Sequence, residues 1–472
     1  MKRWGIIVTA LLLVGCVHYQ PQPLNAAKRA DDFEARRLAG DQLRGFVETS
    51  LGSRLPNWPP QRWNLETLTL AAYYFHPSLD VARAQWRVAA AAAISAGARP
   101  NPTVSFSPGF TANPGTVTPW LLAAGFDWPV ETAGKRNHRI TQAQQLARVA
   151  RFHLITTAWQ VRAKVRDSLA AYRFAGNQSS TLGEKVRLQQ EIVAKLEARL
   201  SAGTISSSEV TPARIALGRL EAELGGAREN ENATAVQLAE AIGIPLHVLT
   251  DAPKEMTLYT PQLSAAQLAA AKQRALLNRS DLLADLADYD ASETALRLEI
   301  AKQYPDLHFN PNYEFDQGAN KWKLGVSLEL PVLHRNQGPI AEAKAKRDEA
   351  AARFAALQAK VISEIDAAIQ GFQQLRQRYF DLIPAVNAEV NHEHAMAAQV
   401  RAGAADALDL LNVKLERLTG VALFDEAGYR SEVAFGQLED ALQQLLEPRP
   451  GLIAPPPPEH LEIDPRESKA KP

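Results

Sequence analysis

The sequence predicts an α+β membrane protein, internally duplicated, with long antiparallel coiled-coil helices and two β-hairpins, four strands in all. Three observations carry this. Residues 307–330 alternate apolar and polar on both sides of a turn at 316–320, and period two over that length means a β-hairpin. The run from Asn137 to Leu200 has no proline, which leaves room for a helix of ~64 residues, roughly 96 Å long. The same succession of patterns returns about 200 residues later.

Composition narrows the function classes. The chain has 472 residues, enough for two or three ordinary domains. Lys+Arg and Asp+Glu both number 52, so there is no nucleic-acid footprint. Alanine dominates long segments without Gly or Pro, which favours closely packed helices. The single cysteine excludes an intrachain disulfide and a cysteine-based zinc site.

That cysteine belongs to the start of the chain. Lys2 and Arg3 form a positive n-region, and Ile6 to Val14 is an apolar run too short to span a bilayer. Leu13-Val14-Gly15-Cys16 looks like a bacterial lipobox. Residues 1–15 are then a signal peptide, and Cys16 becomes the lipid-bearing N-terminus. Val17 stands where an Asp would resemble an inner-membrane retention signal, which favours the outer membrane. Residues 16–62 read as a lipidated, extended arm, polar and proline-rich, closing on Pro56-Asn57-Trp58-Pro59-Pro60.

The first repeat spans 63–250. A helix is expected from Leu65 to about Gly97, stopped by Pro100 and Pro102. A hairpin at about 102–129 follows, with Val104, Phe106, Phe110, Trp120, Leu122, Ala124, Phe126 and Trp128 on its apolar face. In the long helix, Leu182, Val186, Val193, Leu196 and Leu200 keep heptad spacing. Ser201-Ala202-Gly203-Thr204 breaks that helix, and Ser206 with Glu209 forms a capping box for its return.

The second repeat, 251–447, runs through the same order. A helix over 265–302 ends at Pro305, and the hairpin at about 306–331 follows. Leu307, Phe309, Tyr313, Phe315, Trp322, Leu324, Val326, Leu328 and Leu330 share one face; His308, Asn310, Asn312, Glu314, Lys323, Ser327 and Glu329 share the other. Each strand has about the ~9–11 residues a tilted strand needs to cross a bilayer. Pro108 and Pro311 occupy equivalent places inside strands and read as shared bulges. A helix from about Pro339 to Val400 should kink at Pro384. Arg401-Ala402-Gly403-Ala404 is the second tip, with Asp406 and Asp409 at the places of Ser206 and Glu209. Residues 448–472 read as a disordered, Pro-rich tail.

This doubled order resembles the TolC family of outer-membrane efflux channels over roughly Trp63 to Leu446. The pieces that carry the resemblance are Ala-Gly-Ala-Arg-Pro-Asn-Pro at 96–102, Phe-Asp-Trp-Pro-Val-Glu-Thr-Ala-Gly-Lys-Arg at 126–136, Leu-Glu-Leu-Pro-Val at 328–332, and the two Ala-Gly tips. The lipidated start resembles the branch serving metal and drug pumps of the resistance-nodulation-division type. The resemblance implies a homotrimer whose chains share one barrel of ~12 strands above a periplasmic α-helical tube. Physics agrees that sharing is required: four strands cannot close a barrel, and an open edge cannot sit in lipid. The polar hairpin faces would line a water-filled lumen.

The implied function is a passive exit duct in the bacterial outer membrane. Its partners would be outer-membrane lipid, a periplasmic adaptor protein and an inner-membrane pump of that type. The alternative is a periplasmic coiled-coil structural or adaptor lipoprotein without a channel, which would need no lipid-facing aromatic bands. By resemblance, Ser201, Ala202, Gly203, Thr204, Arg401, Ala402, Gly403 and Ala404 form the rim that meets the adaptor. Asp409, with Asn412 at the next position, falls where acidic residues ring the periplasmic entrance. Asp409 is also three residues after Asp406, where an acid caps a helix, and both roles stay open here. No nucleophile elbow or phosphate loop appears, so neither an enzyme nor a cofactor is expected. His392 and His394 point about 200° apart on a helix and cannot share one ion, so any metal would be cargo.

Overall fold

A computed structural model describes residues 18–112, 118–250, 261–316 and 318–446. Cys16, the lipobox, the first hairpin's 113–117 turn and the 448–472 tail lie outside the described residues. The 16–62 arm differs from expectation. It folds into α1 (Ala26–Glu34) and α2 (Asp41–Leu51), within a stretch that has no proline between Pro23 and Pro56. Asn25 caps α1 by accepting from the Lys28 N–H, while Leu43 and Val47 of α2 are buried. The arm is therefore part of the core and not merely extended. The Arg36 guanidinium donates to the carbonyls of Phe75 and Gly243, fastening the arm to two helix ends.

The next helical stretch is broken where continuity was expected. α3 (Leu65–Phe75) and α4 (Pro77–Ala96) meet at His76, because Pro77 has no N–H to continue α3 and fits the first turn of α4. Expected helix 265–302 is likewise split, at Arg279, into α8 (Ala265–Asn278) and α9 (Ser280–Ala301). Between these pairs lie β1 (Thr103–Phe110), β2 (Trp120–Val130), α5 (Lys135–Ser201), α6 (Ser207–Ile242) and α7 (Leu246–Thr250). After α9 come β3 (Leu307–Asp316), β4 (Ala319–Leu328), α10 (Gln337–Asp381), α11 (Ile383–Arg401) and α12 (Ala407–Leu442). α5 runs unbroken for 67 residues. The break between α10 and α11 at Leu382 lies beside Pro384, where a kink was expected.

The four strands form one antiparallel sheet in the order β1-β2-β3-β4, so β1 and β4 are its edges. The strand prolines do not make bulges. Pro108 pairs with Leu122 and Pro311 with Leu324 without any slip in register. Pro311 is accommodated differently: β2–β3 pairing lapses at Phe126 and Asp127, opposite Pro311 and Asn310. The N–H that proline lacks is thus absorbed by a gap in the ladder, not by an inserted residue.

Packing divides into three clusters. The first joins α2, α3 and α4 to α5 and α6 through Val47, Leu68, Tyr73, Leu154, Val165, Leu238 and Ile242. The second joins α8, α10 and α12 through Leu268, Val361, Ile365, Phe372, Phe435 and Leu438. The third, towards the tips, holds α5 to α12 through Leu188, Ile192, Leu411 and Leu418. Among the described residues no helix is long and apolar enough to cross a membrane.

Candidate functional site

The sheet has two chemically distinct faces. Val104, Phe106, Trp322 and Leu324 share one face and are 74%, 67%, 81% and 77% exposed. On that face Phe110 meets Trp120 edge-on at 5.4 Å and Tyr313 lies 4.8 Å from Trp322, both pairs towards the turns. Apolar area of this extent is costly in water and has no cover among the described residues. The opposite face is polar and internally paired. Lys321 reaches Asp316 at 2.7 Å, Lys323 reaches Glu314, and the His308 Nδ1 lies 3.1 Å from the Asp127 carboxylate. Asn310 donates to the Ser327 hydroxyl at 2.9 Å. Gly125 leaves room on this face for the Ser105 hydroxyl, which a Cβ would meet at 2.6 Å.

Below the sheet, short polar contacts bind strand ends to helix ends. The Asp306 carboxylate accepts from the Thr132 N–H at 2.9 Å and the Lys135 Nζ at 2.8 Å. The Thr132 hydroxyl donates to the Pro305 carbonyl at 2.6 Å. Arg136 donates to the Gly97 carbonyl at 2.7 Å, and Asn336 to the Glu299 carbonyl at 2.7 Å. These contacts set how the hairpins stand on the helices.

At the far end, the two tips are built alike. Gly203 has φ +72° and Gly403 has φ +73°, the left-handed geometry that glycine adopts without strain. Thr204 donates to the Arg199 carbonyl at 3.0 Å and Ala404 to that of Gln399 at 2.9 Å, the closing bonds of Schellman motifs. Ser201, Ala202, Gly203, Thr204, Arg401, Ala402, Gly403 and Ala404 are all exposed. Glu209 accepts from the Ser206 N–H at 2.9 Å, and that bond, with the Ser206 hydroxyl, lowers its carboxyl below the usual range. Asp409 accepts from the Asp406 N–H at 3.2 Å, so it does cap α12. Asp409 and Asn412 lie one turn apart and both are exposed.

Two charged features escaped the sequence reading. The Arg199 guanidinium pairs with Asp406, tying the two tips together; this pair, then the Leu408 N–H, lowers the Asp406 carboxyl. Further along α5, Arg162 pairs with Glu439 at 2.8 Å with both side chains buried. Arg166 reaches Asp440 at 2.6 Å and Arg173 pairs with Glu432. The signal was the arginine spacing 162, 166, 173 on an otherwise apolar helix face.

Residues 73–244 match the sequence profile of the family described as outer membrane efflux protein. The cobalt-zinc-cadmium resistance protein CzcC of Cupriavidus metallidurans is 26% identical over 224 residues, 47% of this chain and 53% of the relative. The match thus spans about half the length of that curated relative. Among solved structures, the outer membrane protein VceC of Vibrio cholerae has a TM-score of 0.65 at 21% identity, over 81% of this chain and 97% of that one. The outer-membrane channel OprN has a TM-score of 0.66 at 18% identity, over 92% and 100%. Residues 73–244 therefore resemble the outer membrane efflux protein family, and the chain shares its fold with VceC and OprN.

Proposed function

We propose that the chain is the exit duct of a tripartite efflux system in the bacterial outer membrane, passing cargo from an inner-membrane pump and a periplasmic adaptor to the exterior without catalysis. One observation carries this: a four-stranded sheet with a bare apolar face and two open edges stands on long helices, of which α5 alone runs about 100 Å. A sheet edge cannot stand open in lipid, so several chains must share one barrel, and the family resemblance implies three, with ~12 strands around the polar faces. The alternative, an adaptor lipoprotein without a channel, gives no reason for the aromatic pairs on the apolar face. The two halves arise by internal duplication, which the recurring element order and the matched tips support. The name of CzcC favours metal ions as cargo over drugs.

In this reading the exposed tip residues at 201–204 and 401–404 meet the adaptor. Asp409 and Asn412 narrow the entrance, with Asp409 serving as cap and gate at once. Cys16 carries lipid. Mass measurement in mild detergent tests the assembly: three chains are expected, each with a lipid mass that disappears in Cys16→Ala. A stable monomer rejects the shared barrel, and an unmodified Cys16 rejects the lipid anchor alone.

A further inference from the structure

α4 and α9 hold equivalent places in the two halves, and the breaks that start them, at His76 and Arg279, lie 203 residues apart. The two helices are used differently. On α9, Ala284, Ala287, Ala291, Thr294 and Leu298 form one stripe at helical spacing, and all five are buried. Ser280 begins that stripe, and its hydroxyl lies 2.8 Å from the Thr156 hydroxyl of α5. On another side, Asp288 and Glu293 reach Arg353 and Arg347 of α10. α9 is thus held between α5 and α10. On α4 the places of the five stripe residues are taken by Val81, Ala84, Val88, Ala91 and Ser95. All five are exposed, Val81 to 57% and Val88 to 71%.

The α5 side of the seam has its equivalent as well. Val161, Val165 and Tyr172 of α5 occupy the first core as Val361, Ile365 and Phe372 of α10 occupy the second, 200 residues on. On the helix face of Thr156, α5 also carries Gln145, Val149 and Phe152, and all four are half-buried. Their places on α10 are taken by Ala345, Glu349, Ala352 and Ala356, and these four are exposed. One chain therefore carries both halves of a second seam and brings neither into contact.

We propose that the α4 stripe packs on the exposed α10 face of a second copy of this chain, repeating between copies the α9–α5 seam found within one. This rests on the reading of the chain as part of a shared barrel. The sheet edges point to the same neighbour. α4 leads into β1 and α10 follows β4, and these strands are the two open edges. A copy whose β1 pairs with the β4 of the next brings its α4 beside that copy's α10. α4 rises to the sheet and α10 descends from it, so the two helices meet antiparallel. The Thr156–Ser280 contact sets the register, because the equivalent residues are Ala356 and Pro77. Val88 then falls opposite Ala345 of the second copy, and Val81 opposite its Ala352. Valines meet alanines, and apolar surface left bare on both helices is removed from water. Each copy offers α4 on one side and α10 on the other, a heterologous contact that closes as a ring.

The test is disulfide cross-linking of the full-length protein in its own membranes. The chain has one native cysteine, so introduced pairs report the contact and the wild type controls for Cys16. Val88→Cys combined with Ala345→Cys should oxidise between copies and give covalent species of two and three chains on a denaturing gel. Neither single variant nor the wild type should give them. Val88→Cys with Ala352→Cys moves one thiol seven residues away, about 10 Å along the helix. A disulfide needs Cβ atoms about 3.5–4.5 Å apart, so this pair should give no ladder. No ladder from the first pair, a link confined to one chain, an adduct with a different protein, or an equal ladder from the displaced pair overturns the seam. Mass measurement of the same samples in mild detergent keeps the two ideas apart. Three chains without the link refute this seam and leave the shared barrel, whereas single chains refute both.

Discussion

Glu66 stands in the first turn of α3, where the helix dipole favours a carboxylate. Burial nevertheless pushes its carboxyl up to about 7 from 4.5, and its Oε1 has no partner. The sign follows from linkage. A carboxyl that titrates higher folded than unfolded is favoured protonated, so its contribution is complete below about 4.5 and is lost as pH rises through about 7. Glu66→Gln should thus raise the melting temperature at pH 8 and leave it unchanged near pH 4. An equal shift at both pH values would contradict the burial cause. In the sequence Glu66 is an ordinary first-turn acid, since what covers a helix start is decided by tertiary packing. Gly243 is a similar case: its φ is +83°, and a Cβ there would press on the Phe75 carbonyl at 3.0 Å. That close approach to another helix end has no local signal in the sequence.

Among the elements, the hairpins and tips were the most legible, because their signals are local. Period two named the apolar sheet face residue by residue, and Gly203 and Gly403 marked the reversals. Strand prolines were misread as bulges because a lone proline does not say whether the ladder shifts or simply skips a bond. The ladder of Arg162, Arg166 and Arg173 was visible only as a spacing. Its partners Glu439, Asp440 and Glu432 lie more than 250 residues away, beyond any local pattern. This ladder ties α5 to α12 and so joins the two halves. Removing one member of a buried pair leaves a bare charge, at a cost of about 3–5 kcal/mol, whereas replacing both with apolar groups is often neutral. Arg162→Met should therefore lower unfolding stability by roughly that amount, and adding Glu439→Leu should restore most of it, as read by denaturant titration in detergent. At the tip, Gly403→Val forces a branched residue into φ +73°, a local strain of about 1–2 kcal/mol or more. Cross-linking to the adaptor should fall while the protein still inserts; undiminished cross-linking would place the contact elsewhere.

At the scale of the whole molecule, the order of elements was readable because it occurs twice, whereas the arm was not. Its prolines suggested extension, yet α1 and α2 fit in the proline-free interval and complete the core that α3 begins. The proposed gate is a property of the whole assembly. Asp409 caps α12 within one chain, but a ring exists only where three chains meet. If Asp409 does both, Asp409→Asn should reduce block of the open channel by divalent cations, since a ring of carboxylates holds cations in a narrow entrance. Unchanged block alongside lower thermal stability would leave it a cap only. The most direct measurement comes before any variant: single-channel recording of the purified wild-type protein in a planar lipid bilayer. A barrel shared by three chains predicts discrete, repeated conductance steps of one size. A protein that binds the bilayer yet leaves it electrically silent would contradict the duct.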